Sequence, residues 1–314
     1  MPVTINGSDG ITNASWTTGT RPSNPAAGQM GFNSETNSLE FYDVGSDLWR
    51  AIIPFSLSAT GGSVSDVSIG GALYRIHEFT SDGTFEVVDS QGEVEYLIVA
   101  GGGEGGAGRA SGFGTQGGGG GGAGGLIEGA KAVSTTSYSV LVGSSNEDSS
   151  VFGLTALTGG GGATANNSSN SGVRDGGSGG GAARRGDGPT AGGIGLQPTS
   201  DSGGFGNDGG SKSNASSIVH GAGGGGAGSA GVEVTTESSS GTPGGDGLES
   251  NITGTAVTYA SGGKGGNQSS SGADGADGAP NTGNGGEGGD GSSTAGDNGG
   301  DGGSGIVVIR YRIG

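Results

Sequence analysis

Glu93-Val94-Glu95-Tyr96-Leu97-Ile98-Val99-Ala100-Gly101-Gly102-Gly103 carries the two signals from which the fold follows. From Tyr96 the run is continuous in apolar character, a pattern a strand can use only when both its faces are covered. At Gly101 the pattern stops and glycine takes over. A second apolar run, Gly305-Ile306-Val307-Val308-Ile309-Arg310-Tyr311, closes the glycine-rich stretch on its far side. The simplest topology places both strands in one sheet. The glycine-rich chain then leaves and returns to a single β platform, which holds both its ends.

What lies between is unlike an ordinary domain. Glycine accounts for 83 of 314 residues, and residues 261–304 contain no Val, Ile, Leu, Met, Phe, Tyr or Trp. Such a composition does not bury enough apolar surface to offset its ordering entropy in the usual way. Glycine can still be ordered in the extended threefold conformation related to polyproline II. That conformation rises about 3.1 Å per residue and makes no internal hydrogen bonds. Its N–H and C=O groups then need partners on neighbouring chains, and the absence of Cβ atoms lets those chains come close. Gly272, Gly275 and Gly278 recur every three residues, as do Gly283, Gly286 and Gly289. Turns are expected where the register breaks, at Ala279-Pro280-Asn281-Thr282 and Ser292-Ser293-Thr294. The unbroken triplet of collagen is absent. Gly288-Gly289-Asp290-Gly291-Ser292-Ser293 also lacks the aspartate and apolar positions of a calcium-binding β-roll.

Elsewhere the patterns read as strands. Gln29–Asn33 and Ser38–Tyr42 alternate Met30 and Phe32 with Leu39 and Phe41, and Trp49 follows on a third strand. Tyr74–Phe79 and Gly83–Val87 suggest a strand pair, with further strands at 126–128, 137–142 and 151–157. No segment has a helical period. The expected fold is mainly β: a small N-terminal hairpin module over 1–55, a Ser/Gly-rich linker over 56–73, and a glycine-rich domain over 74–314. Within that domain, 74–158 and 305–312 form the platform and 159–304 the array of polyglycine II-like helices. The N-terminal hairpin is small for independent stability. It packs either on its own chain or with copies of itself, which makes Met30, Phe32, Leu39, Phe41 and Trp49 candidate interface residues.

Charge and composition narrow the function. The net charge of −18 disfavours nucleic acid as a partner. With no cysteine, disulfides and thiolate metal sites are excluded. No apolar run reaches the length of a membrane span, and the N-terminal residues lack the pattern of a signal peptide. Release by lysis as part of a virion is an expected route to the outside. No Ser/His/Asp spacing or metal motif is visible, so no cofactor and no enzyme activity are expected.

Several blocks are familiar. Phe79–Val87, Glu95–Gly103, Ser150–Gly160, Asn251–Ala260 and Gly302–Tyr311 occur in order over most of the chain. They resemble the glycine-rich domains of bacteriophage tail-fibre and virion structural proteins. Thr18-Gly19-Thr20-Arg21-Pro22, Gly28–Asn33 and Trp49 resemble a short module common near the N-terminus of phage fibre proteins. The resemblance implies a homotrimer attached to other tail or capsid proteins through that module. It also implies a packed polyglycine II array whose surface loops contact a host receptor, a glycan or an outer-membrane protein. The last third departs from the usual pattern in being acidic, with Asp274, Asp277, Glu287, Asp290, Asp297 and Asp301.

Loops that interrupt the glycine pattern gather the larger side chains. Arg184 and Arg185, Arg109 with Phe113, Arg174 with Asp175, and Phe205 with Asn207 are the receptor-binding candidates. Aromatics stack on sugar rings, and arginine forks bind anions. The aspartates of the last third are either a solvated face or calcium ligands. A purely structural head-fibre or decoration role, and a glycan depolymerase with a hidden carboxylate pair, are the alternatives.

Overall fold

The computed structural model describes residues 14–35, 38–45, 47–51, 57–109, 115–165, 174–183, 190–213, 220–236, 238–269, 271–292 and 297–313. The chain divides into two compact units at Ser56/Leu57.

The first unit is a four-stranded sheet in sequential order: β1 (Ala14–Trp16), β2 (Met30–Asn33), β3 (Ser38–Asp43) and β4 (Leu48–Ala51). β1 runs parallel to β2 and the other pairs are antiparallel. On one face the Trp16 ring lies over Gly31, where a Cβ would fall 2.0 Å from the ring. Trp49 meets Trp16 at 4.6 Å and Tyr42 at 5.7 Å. The buried Glu40 carboxylate on this face accepts from Arg21 Nε (2.9 Å) and Nη2 (2.6 Å), Trp16 Nε1 (3.1 Å) and Asn33 Nδ2 (3.0 Å). The Arg21 hydrogen bond is the main reason its carboxyl titrates at about 2. Met30 opposes Phe41 and Phe32 opposes Leu39, which places these four on the other face. Met30 and Phe32 remain 46% and 36% exposed there. Trp49 does not join them. It opposes Tyr42 and packs on the Trp16 side, because the period of two puts Arg50, not Trp49, beside Phe41.

In the second unit, residues read from composition as a linker form strands β5 (Ser58–Thr60) and β6 (Ser63–Ile69). Pairing overrides composition here. β6 is hydrogen-bonded along its whole length to β7 (Ala72–Phe79), and β5 to β8 (Gly83–Asp89). β7 and β8 adjoin in sequence but do not pair with each other; they belong to different sheets. With β9 (Gly92–Val99), β10 (Leu126–Val133), β11 (Ser137–Val140) and β16 (Ile306–Arg312), they form a five-stranded sheet, β10-β9-β16-β7-β6, and a three-stranded sheet, β11-β8-β5. The segment expected as one strand over 151–157 is instead the hairpin β12 (Ser149–Val151) and β13 (Leu154–Ala156). Its two turn residues, Phe152 and Gly153, both have positive φ (58° and 75°), as a tight hairpin requires. The Phe152 ring is held at 5.0 Å from Tyr138 and 5.9 Å from Tyr96.

β16 pairs with both β9 and β7, as the two apolar runs lead one to expect. Tyr96, Ile98, Val307, Ile309 and Tyr311 face the three-stranded sheet and pack with Phe85, Val87 and Val140. Leu97, Val99, Ile306 and Val308 face the opposite way, onto Ile252, Tyr259 and Ala123. Both faces are therefore dry. His77 lies inside the first layer, edge-on to Phe85 at 5.1 Å and stacked on Tyr311 at 5.6 Å, with Nδ1 2.7 Å from the Gly61 carbonyl. Burial pushes its pKa below the usual 6.5; the bond to Gly61 acts the other way.

The array starts earlier than expected, because 101–125 belongs to it and not to the platform. The N–H groups of Gly118, Gly121 and Gly124 donate to Gly289, Gly286 and Gly283. Those of Gly119, Gly122 and Gly125 donate to Ala163, Gly160 and Leu157, and those of Gly120 and Ala123 to Ala222 and Gly225. Three more segments donate back to this helix. Gly103 and Gly106 donate to Gly122 and Gly119, Ser178 and Gly181 to Ala123 and Gly120, and Gly263 and Gly266 to Gly121 and Gly118. Helix 117–125 thus has six neighbours reached with a three-residue period, the packing of threefold polyglycine helices. A Cβ on Gly120 or Gly121 would fall 2.0 or 2.1 Å from a neighbour's carbonyl oxygen. The hairpin β14 (Leu248–Ser250) and β15 (Val257–Tyr259) interrupts the array and closes the second core.

Candidate recognition site

The direction of the threefold helices fixes where the loops fall. Helix 101–108 leaves the platform at Val99, and 117–125 returns antiparallel to it, with Ala100, Gly103, Gly106 and Arg109 donating to Gly125, Gly122, Gly119 and Gln116. The remaining helices alternate in the same manner. At the end away from the platform, single bridges join Arg109 to Gln116, Thr190 to Lys212, Lys212 to Val234, and Gln268 to Gly291.

Only one described candidate, Arg109, is at this end, where it is half-buried. Arg184, Arg185 and Phe113 lie outside the described residues. Their described flanks are Ala183 and Thr190 for the arginines, and Arg109 and Thr115 for Phe113. Arg174 sits along the side of the array, its Nη2 2.7 Å from Glu104 Oε1. Phe205 is 47% exposed but bridges Leu126, at the platform end. Arg109, Arg174 and Phe205 therefore do not form one surface. Spacing in sequence could not show this, because it depends on which way each helix runs.

Sequence reasoning passed over a polar layer near the far end. Gln116, Thr190, Lys212 and His220 are all buried, and Lys212 is only 2% exposed. His220 Nε2 lies 3.2 Å from the Thr236 carbonyl, while His220 Nδ1, Thr190 Oγ1 and Gln116 Oε1 have no hydrogen-bond partner. The available signal was the presence of long polar side chains inside runs otherwise made mostly of glycine and other small residues.

Three acidic residues of the last third, Asp274, Asp277 and Asp290, also have a structural use, and the first two do so from the exposed face. Asp274 Oδ1 accepts the Asn298 N–H (2.7 Å) while the Gly275 N–H donates to the Asn298 carbonyl (2.8 Å). Asp277-Gly278 grips Asp301 in the same way, Asp290-Gly291 grips Asn267, Asn284-Gly285 grips Ser261, and Asp175-Gly176 grips Ile194. Each Asx-Gly pair binds both backbone groups of one residue on the adjacent helix. The side chain supplies an acceptor where no further helix is present. Among the described residues, no group of three or more His, Asp or Glu side chains is placed to hold a metal ion, and no helix is long and apolar enough to cross a membrane.

No curated protein matches the sequence. A family model described as a glycine-rich domain matches residues 80–312, which takes in both the platform and the array. The chain belongs to that family of glycine-rich domains.

Proposed function

We propose that this protein is a virion fibre component of a bacteriophage that binds a host-surface receptor non-covalently through the far end of its glycine array. The observation that carries the reading is the alternation of helix direction. It gathers, at the end remote from the platform, Arg109 and the described flanks of the connections that contain Phe113, Arg184 and Arg185. A backbone-bonded lattice is a rigid mount for such loops, and binding residues concentrate on loops held by rigid scaffolds. The resemblance of the sequence blocks to phage fibre proteins supports the same reading. The N-terminal unit serves attachment and trimerisation, with the exposed Met30 and Phe32 meeting copies of themselves. In the virion the protein acts as a binder and not as an enzyme.

The test is binding of purified full-length protein to intact cells of a bacterial panel, with an R184S/R185S variant alongside. Saturable binding that the variant loses supports both the adhesin and its contact surface. Binding shared by both keeps the adhesin and discards the arginine pair. No binding to cells the phage infects overturns the adhesin and favours a structural fibre.

A further inference from the structure

Among the described residues, the glycine array has an empty lattice position. Helix 283–291 has neighbours on five of its six sides: 117–125, 101–108, 297–304, 273–279 and 261–268. The sixth side, between 261–268 and 273–279, is an open groove of about 430 Å³ whose lining includes Gly262, Lys264, Ala276, Asp277, Gly285 and Glu287. Along helix 283–291, N–H groups of consecutive residues are taken by three neighbours in turn. Carbonyls of Gly283 and Gly286 accept from 117–125, and those of Asn284 and Glu287 from 297–304. Of the third set, the Gly291 carbonyl accepts from the Ser269 N–H, and Gly285 lines the groove. Among the described residues, the carbonyls of Gly285 and Gly262 accept no backbone N–H, and the Lys264 N–H has no backbone acceptor.

We propose that this groove docks an extended, glycine-rich peptide strand of a partner protein, in the threefold conformation, with a basic residue at every third position. An open lattice side leaves donors and acceptors unpaired, as an exposed edge does in a β-sheet. Here the Ser261 and Asn267 N–H groups on either side of Lys264 are already taken by the Asn284 and Asp290 side chains, so the free donor is that of Lys264. Two positions in three of an incoming strand face its floor and walls, where the existing helices leave no space for a Cβ. On the closed sides of the same helices, a Cβ at Gly263 or Gly285 would fall 2.0 or 2.1 Å from the Gly286 or Gly121 carbonyl oxygen, and an incoming strand packed at that distance meets the same limit. The third position faces solvent, beside the exposed Asp277 and Glu287. Lys264 turns its ammonium to Asn267 Oδ1 (3.2 Å). With a chain charge of −18, a basic strand is attracted and an acidic one repelled.

The experiment uses a fluorescein-labelled peptide of four Gly-Gly-Lys triplets titrated into the full chain, read by anisotropy. Ala-Ala-Lys and Gly-Gly-Glu peptides of equal length are the comparators. Ala276→Tyr fills the groove from an exposed residue that already carries a Cβ, and Lys264 amide exchange is followed in the unmodified chain. Saturable binding of the Gly-Gly-Lys peptide is expected, at least tenfold weaker for both comparators and for the variant, with slowed exchange at Lys264. Absence of saturable binding, equal binding of the alanine peptide, or unchanged Lys264 exchange at saturation overturns the site. Equal binding of the Gly-Gly-Glu peptide overturns the basic partner.

Discussion

The platform and the array belong to one compact unit yet are held together by opposite means. Around Phe85 and Ile98 the platform buries large side chains against one another, and its backbone bonds run between two strands at a time. Around Gly121 the array has almost no side chain to bury, and consecutive residues bond to different helices on all sides. Ordering a residue's backbone costs about 1–2 kcal/mol, with glycine at the high end, while a hydrogen bond contributes about 0.5–1.5 kcal/mol net. Backbone hydrogen bonding alone therefore does not offset the ordering cost of the array residue by residue. Its order depends on cooperativity and on strands β9, β10 and β16, which anchor its ends. The platform core is sensitive to loss of side-chain volume, and the buried glycines of the array to gain.

Substitutions test that contrast in order of size. Phe85→Ala leaves a cavity in the dry layer between the two sheets, and the expected loss is about 3–5 kcal/mol, measured as a fall in unfolding midpoint. Because the array is anchored on this sheet, amide protection is expected to fall in both regions. Gly121→Ala drives a Cβ against the Gly103 carbonyl, 2.1 Å away with only backbone to yield, for about 1–3 kcal/mol. Its exchange pattern is the more informative result: protection lost over 103–125 and 283–289 but kept in β7, β9 and β16. Uniform loss would show that array and platform are one cooperative block.

Asp277→Ala removes one acceptor from a two-point clamp and strands the Asp301 N–H at the edge, for about 1 kcal/mol. Asp277→Asn keeps the acceptor and is expected to restore stability; failure to do so would make charge, not hydrogen bonding, the reason for aspartate. The smallest effect is pH-dependent and confined to the platform. In the unfolded chain His77 takes up a proton near pH 6.5, but in the folded chain burial delays this to lower pH. Its contribution to stability is full above pH 6.5 and is lost as pH falls through the folded value. A His77→Gln variant should flatten that part of the pH–stability curve.

How much was legible beforehand varied with the physics of each segment. Continuous apolar runs at 96–100 and 306–309 revealed two-sided burial and a shared sheet, because nothing else makes a strand of that composition stable. Period-two alternation placed Met30, Phe32, Leu39 and Phe41 on one face. It did not assign a face to Trp49, because the register of β4 is set by its pairing with β3. The linker reading of 56–73 failed for the same reason: Ser, Gly and Val become strand when β7 and β8 present free edges. In the array, the triplet spacing of glycine disclosed the conformation but not the direction of any helix, and so not which loops share an end.

Local composition and periodicity are enough to specify most of the material: where side chains are large enough to make a buried core, and that glycine lattice gives way to it again at Gly305, although they start the array at 159 and not at Gly101. These properties are encoded residue by residue. Only the folded chain settles which six helices surround 117–125, which aspartates grip which backbone groups, that Arg109 and Phe205 lie at opposite ends, and which lattice position stays empty. A glycine carries no side chain by which to choose its neighbour. That choice rests on the turns and platform strands that deliver each helix to its place.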